Sequence, residues 1–157
     1  MDELIKEKPH EVYFRLHLPA WETAIPKDRE WRSLNFVARR SSEETVAKFC
    51  SEAYAMQQQE GRGAHLEVNS TSAIWATDIF ADVVGYEVRV DLCRFGQQVR
   101  SQNGRFMGYS NSSVRVRSAS RRLVEEVGLR CLCSKPHAAV SAVAVRGPAV
   151  KHGEGHC

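Results

Sequence analysis

Apolar positions recur along this chain in short blocks, and each block predicts one element. Between Glu11 and Leu18, Val12, Phe14, Leu16 and Leu18 alternate with Tyr13, Arg15 and His17. That is the period of a half-buried strand, and Pro19 ends it. Residues 19–32 read as a loop in which Trp21 and Trp31 fold back to cap a core. Leu34, Phe36 and Ala38 alternate with Asn35, Val37 and Arg39 as a second strand. The period then changes. Ser41 and Glu44 have capping-box spacing, Glu43 and Glu44 set negative charge at the helix start, and Val46, Phe49, Cys50 and Ala53 make one apolar stripe that Gly61 closes.

Ala64, Leu66 and Val68 alternate with His65, Glu67 and Asn69 as a third strand. Ser70-Thr71-Ser72 then caps a second predicted helix with Ala76, Ile79, Phe80 and Val83 on one side and Gly85 at its end; a strand over 72–84 is the alternative. Tyr86, Val88, Val90 and Leu92 predict a fourth strand. Residues 96–113 read as a long polar loop with a frayed strand at Arg105-Phe106-Met107. Val114 and Val116 alternate with Arg115 and Arg117, and a third helix spans about Ser118 to Val127, with Gly128 as its stop. Leu129 to Cys133 is a candidate last strand, an edge strand follows Pro136, and the Gly, Pro and His residues from Arg146 onward predict disorder.

This order predicts an α+β fold: a two-layer sandwich, mostly antiparallel, with amphipathic helices on one face of the sheet. Val37-Ala38-Arg39-Arg40-Ser41-Ser42 is loosely echoed by Val114-Arg115-Val116-Arg117-Ser118-Ala119, which suggests a ββαβ pseudo-repeat. The expected organisation is an arm at 1–7, one domain at 8–133 and a partly disordered tail at 134–157.

Composition narrows the class. The chain has 157 residues, 43% apolar and 26% charged, as in soluble globular proteins. It has no apolar run near the ~20 residues of a membrane span, so no membrane partner is expected. Met1 to Lys8 lacks an apolar signal core, and five cysteines without framework spacing predict a reduced, cytoplasmic protein. Charge changes the picture more. Residues 1–85 hold 10 Lys/Arg against 14 Asp/Glu, a net −4, whereas residues 86–157 hold 12 against 5, a net +7. Such an imbalance points to an anionic partner for the second half.

With helices on one face of the sheet, the other face would carry Tyr13, Arg15, His17, Asn35, Arg39, His65, Glu67, Arg89, Asp91, Arg115 and Arg117. The polar loop adds Arg94, Phe95, Arg100, Arg105, Phe106 and Tyr109. Arginine pairs with phosphates and aromatic rings stack on bases, so Arg89, Arg94, Phe95, Arg100, Arg105, Phe106, Tyr109, Arg115 and Arg117 are the expected contacts to single-stranded nucleic acid or an acidic protein surface. A solvated face and a homodimer interface are the competing uses. The same residues suit a protein–protein module, an inhibitor or adaptor, because Arg, Trp and Tyr anchor interfaces. With no complete catalytic set, the expectation is a non-enzymatic binding protein without a cofactor.

Four smaller constellations complete the inventory. Cys131, Cys133, His137 and His152 form a candidate zinc set, although one residue between the cysteines is tighter than usual spacing. Cys93, His17 and Asp91 are a candidate nucleophile, base and acid. Arg121 to Leu129 resembles the tail of a Nudix box in Arg121, Leu123, Glu125, Glu126, Gly128 and Leu129. That resemblance implies a metal-dependent phosphohydrolase whose helix glutamates hold the cation. The pattern departs from the family at Arg122, Ser113 and Met107, where two glutamates and a glycine belong, and i,i+4 pairing of Arg121–Glu125 and Arg122–Glu126 accounts for the same letters. Arg15 with Ser70-Thr71-Ser72 resembles part of an ADP-ribosyltransferase pattern, but no Glu-x-Glu follows Ser72.

Overall fold

Strand β1 (Glu11–Leu16) forms where the alternation predicts it and pairs in parallel with β2 (Gly63–Asn69). Parallel neighbours need a crossover. Here it runs through a short helix, α1 (Pro19–Glu22), and the long helix α2 (Leu34–Gln59). Strand β3 (Tyr86–Asp91) follows two 3-10 turns, Ala73–Ala76 and Asp78–Phe80. A third such turn, Leu92–Phe95, leads into the hairpin β4 (Gln98–Arg100) and β5 (Phe106–Ser110). Then come β6 (Ser113–Ser118), α3 (Arg121–Val127), β7 (His137–Ala138) and β8 (Val145–Arg146). The computed structural model describes residues 6–22, 34–132, 134, 136–138 and 145–146. Two mixed sheets result, ordered β1-β2-β6-β3 and β7-β5-β4-β8, and the fold class is α+β. Among the described residues no helix is long and apolar enough to cross a membrane.

The register of the first sheet decides where its side chains go. Leu66 lies opposite Arg117 and Val68 opposite Arg115, whereas Val116 faces Glu67 and Val114 faces Asn69. Cross-strand partners share a face. The apolar half of β1 and β2 is therefore on one side, and the apolar half of β3 and β6 is on the other. Helix α2 covers the first, with Ala47 and Tyr54 packed on Ala64, Leu66 and Val68. Helix α3 covers the second, with Leu123 and Val127 against Val90, Val114 and Val116. The helices thus divide between both faces, and the expectation of one covered face and one open face is corrected. Alternation within each strand could not reveal this, because parity says nothing about how neighbouring strands align.

Other departures are local. Leu34–Ala38 is the first turn and a half of α2, not a strand, so the first half of the chain does not follow a ββαβ plan. No Gly or Pro interrupts 34–59, and a nucleated helix propagates through such a stretch. Ser41 is consequently interior, its carbonyl accepting from Thr45 Oγ1 at 3.0 Å. Glu43 works elsewhere: its Oε2 accepts the Ala20 N–H of α1 at 2.9 Å while Oε1 holds Arg39. The buried stripe of α2 is Ala47, Cys50, Ala53, Tyr54 and Gln57, so Val46 and Phe49 of the expected stripe are exposed. Small residues on this side let the helix lie close to the sheet.

The segment 72–84 is neither α-helix nor strand; its two 3-10 turns bury Ile74 and Phe80, and Val83 is buried after them. The expected polar loop contains the β4–β5 hairpin. Leu129 to Leu132 form no strand, and Asp91 ties the segment to β3 instead, its Oδ2 accepting the Cys131 N–H at 2.8 Å. The predicted edge strand after Pro136 is present as β7, parallel to β5. Trp31, Cys133, His152 and most of the tail lie outside the described residues.

Burial pushes the Cys50 thiol up to about 11. At neutral pH it should resist alkylation until the protein unfolds, as timed mass spectrometry in increasing urea would show. The raised value carries a sign: the folded state keeps the proton longer, so stability should fall as pH climbs from 9.0, the ordinary thiol value, towards about 11.

Candidate functional site

The nine expected partner contacts fall into three groups. Arg89, Arg115 and Arg117 lie on the α2 side of the first sheet, next to the second 3-10 turn, and their charges are already engaged. Arg117 donates to Phe80 O at 3.1 Å, Val83 O at 2.9 Å and Glu87 Oε2 at 2.6 Å. Arg115 Nε is 3.5 Å from Glu87, and Arg89 Nε is 3.6 Å from Asp91. Both Arg115 and Arg117 also sit over the Trp75 ring, at 4.8 and 5.3 Å. Arg117 is thus built into the fold, Arg115 is partly covered, and Arg89 stays half exposed beside Asp91.

Arg94 and Phe95 belong to the turn Leu92–Phe95, where Phe95 packs on the second core cluster. Its ring is partly buried against that cluster.

Arg100, Phe106 and Tyr109 do come together on the β4–β5 hairpin, and exposed Arg105 stands in its turn, next to Phe106 in sequence. Gln98 pairs with Tyr109 and Arg100 with Phe106 across a register shift, so these four share a face while Val99 is buried on the other. Phe106 meets Tyr109 edge-on at 5.7 Å, and Phe106 and Met107 are exposed. Arg100 is oriented by Gly104 O at 3.0 Å and Gln98 Oε1 at 2.8 Å. Residues 96–113 contain no acidic side chain, and neither Arg100 nor Arg105 has a carboxylate partner among the described residues.

On the α3 side of the first sheet the register places Tyr13, Arg15, His65 and Glu67 together. Tyr13 Oη donates to Glu67 Oε2 at 2.6 Å, and Arg15 Nε reaches Oε1 at 3.0 Å. Burial, and then the Glu67 carboxylate, raise the Tyr13 phenol well above its ordinary value. His65 is fully buried between Ser118 Oγ at 2.7 Å and Glu11 Oε1 at 2.6 Å. Alternation had assigned this histidine to an outward face. Beside the group opens a cavity of about 420 Å³, floored by Val90, Val114, Val116 and Phe95 and rimmed by Tyr13, Arg15 and Gln97. Gln97 Oε1 is buried there with no hydrogen-bond partner among the described residues.

The enzyme-like constellations do not assemble. His17 Nδ1 is 3.2 Å from Glu22, and Asp91 holds the Cys131 amide and Arg130, so Cys93, His17 and Asp91 form no triad. Glu125 and Glu126 are exposed and each is held by an arginine one turn earlier, at 2.7 and 2.8 Å. No third acid joins them in a metal-binding group among the described residues. Ser72 Oγ donates to Trp21 O, and Ser70 bonds to Ser113, which gives the Ser-Thr-Ser run a structural use.

Of the candidate zinc set, Cys131 and His137 meet, with Sγ and Nε2 3.4 Å apart. Cys133 and His152 lie outside the described residues. The third member that the fold supplies is Cys93, and the three donor atoms lie within 4.8 Å of one another. Sequence spacing gave no sign of Cys93, which arrives from a turn on the far side of the hairpin.

The chain matches no family model, no curated protein and no solved structure.

Proposed function

We propose that this protein is a non-enzymatic, cytoplasmic binding module that holds single-stranded nucleic acid on its β4–β5 hairpin. One observation carries the reading: Arg100 and Arg105, without carboxylate partners among the described residues, share a hairpin with exposed Phe106 and the Tyr109 ring edge-on to it. Two guanidinium groups can pair with successive phosphates, and a base stacked on an aromatic ring contributes about 1–3 kcal/mol whatever its sequence. The buried Cys50 thiol suits a reducing compartment.

Anisotropy of a labelled pyrimidine oligonucleotide, titrated at several salt concentrations, is the test. Affinity should fall steeply with salt, and Arg100→Ala with Arg105→Ala should flatten that slope by about two phosphate contacts. Phe106→Ala should cost roughly tenfold to a hundredfold at every salt concentration. Absence of binding at low salt, or unchanged binding by the arginine pair variant, would sink the proposal. The cavity of about 420 Å³ favours one second reading, a protein-docking module that takes an apolar side chain beside Tyr13 and Arg15. A partner retained after nuclease treatment distinguishes it from the first.

A further inference from the structure

Two sulfurs and an imidazole nitrogen converge from three separate parts of the chain: Cys93 in the turn before β4, Cys131 after α3, and His137 on β7. We propose that Cys93, Cys131 and His137 bind a zinc ion, with solvent in the fourth tetrahedral position.

The separation suits the ion. Zinc–sulfur and zinc–nitrogen bonds of about 2.3 and 2.0 Å at a tetrahedral angle put a sulfur and a nitrogen about 3.6 Å apart. Cys131 Sγ and His137 Nε2 are 3.4 Å apart. All three donors lie within 4.8 Å, so a modest closing motion of one side chain completes the set. The donor chemistry is selective as well. Two thiolates and an imidazole, with no carboxylate among them, favour zinc over magnesium or calcium, which need oxygen ligands.

The backbone at each donor is fixed independently of any metal. Around Cys93, Leu92 N–H donates to Ser112 O at 3.1 Å and Gly96 N–H donates to Cys93 O at 3.0 Å. At Cys131 the amide donates to Asp91 Oδ2 at 2.8 Å. His137 is held between Tyr109 N–H to Pro136 O at 3.0 Å and Asn111 N–H to Ala138 O at 3.3 Å. Gly108 makes that approach possible. Its φ is +147°, and a Cβ there would sit 2.9 Å from Pro136 O. A hairpin strand that must admit β7 this closely needs glycine at that point.

The ion would tie the entry to the hairpin, the exit of α3 and a two-residue strand into one unit. Short ladders such as β7 give little pairing energy of their own, so metal binding would contribute to ordering the second sheet. The inference stands whether or not the hairpin binds nucleic acid.

The full chain, purified with reductant, would be incubated with zinc chloride, dialysed and assayed for metal. One zinc per chain is expected. Cys131→Ser, His137→Ala and Cys93→Ser should each weaken zinc binding by more than about 100-fold, beyond the loss typical of outer-shell changes. Cys50→Ser and Cys133→Ser should keep it. His137 is exposed, so His137→Ala tests the site without threatening the core. Cobalt substitution of the unaltered chain gives a second readout, independent of any variant. A thiolate-to-cobalt charge-transfer band and the intense visible bands of four-coordinate cobalt are expected. The proposal is overturned by substoichiometric zinc, by the weak spectrum of six-coordinate cobalt, or by a Cys93–Cys131 disulfide in place of metal. Loss of zinc in Cys133→Ser but not in Cys93→Ser would overturn it too.

Discussion

Gly85→Ala should cost this protein about 3 kcal/mol or more of stability, from a strained backbone and an overfilled contact together. Gly85 has φ +154°, a region that L side chains rarely adopt, just before β3 begins. A Cβ there would collide with the Ser118 carbonyl oxygen and lie 2.9 Å from Tyr54 Oη. Neither neighbour can yield. Ser118 ends β6, is fully buried and bonds to His65. Tyr54 is 0% exposed, its hydroxyl donates to Val84 O at 3.0 Å, and burial pushes its phenol up to about 12. Gly61 supplies the control, because its φ is +69° but nothing lies within 4 Å of an added Cβ. Gly61→Ala should therefore cost about 1 kcal/mol, from backbone strain alone. Urea unfolding of the three proteins checks this. Midpoints should fall in the order wild type, Gly61→Ala, Gly85→Ala, with similar slopes. Equal losses at the two glycines would show that the close approach contributes nothing.

Gly85 also marks the limit of what the sequence could reveal. The sequence marks it as the end of a helix that does not form, whereas β1, β2, β3 and β6 were legible, because period-2 alternation is strong where one side of a strand is buried. The end of α2 at Gly61 was legible for the same kind of reason. Alternation failed where it was short. Leu34, Phe36 and Ala38 fit a strand over five residues, but the absence of any breaker before Gly61 makes them the start of a helix. It also failed across strands: Arg89 and Arg115 are opposite one another, yet Arg15 and Glu67 lie on the other side of the sheet. That single fact of register dismantles the continuous basic face that the composition suggested.

Of the residues expected to contact a partner, those on the hairpin stay near one another because they are close in sequence. A local cluster such as Arg100, Arg105 and Phe106 stays together however the sheet is arranged. Cys93 illustrates the opposite case. It and His137 are brought together by β5 and β7 pairing in parallel, a long-range event that no local pattern encodes.

The second large effect concerns Trp75, against which two arginines of the second half of the chain pack. Trp75 Nε1 donates to Asn69 O at 2.9 Å, and the ring lies 5.1 Å from Phe80 with Arg115 and Arg117 above it. Trp75→Ala removes all of these at once and should destabilise the protein by about 3–5 kcal/mol. Trp75→Phe keeps an aromatic face but loses the hydrogen bond, so an intermediate loss is expected. Arg115→Ala should cost only about 1 kcal/mol, since Arg115 is a third exposed and Arg117 retains its own partners. Thermal unfolding ranks the three. The functional contrast comes from the oligonucleotide assay: Arg115→Ala should bind like wild type, whereas Arg105→Ala should bind more weakly. Were Arg115→Ala to lose as much affinity as Arg105→Ala, the interface would extend over the strand face beside Trp75, and the assignment of its arginines to structure would be wrong.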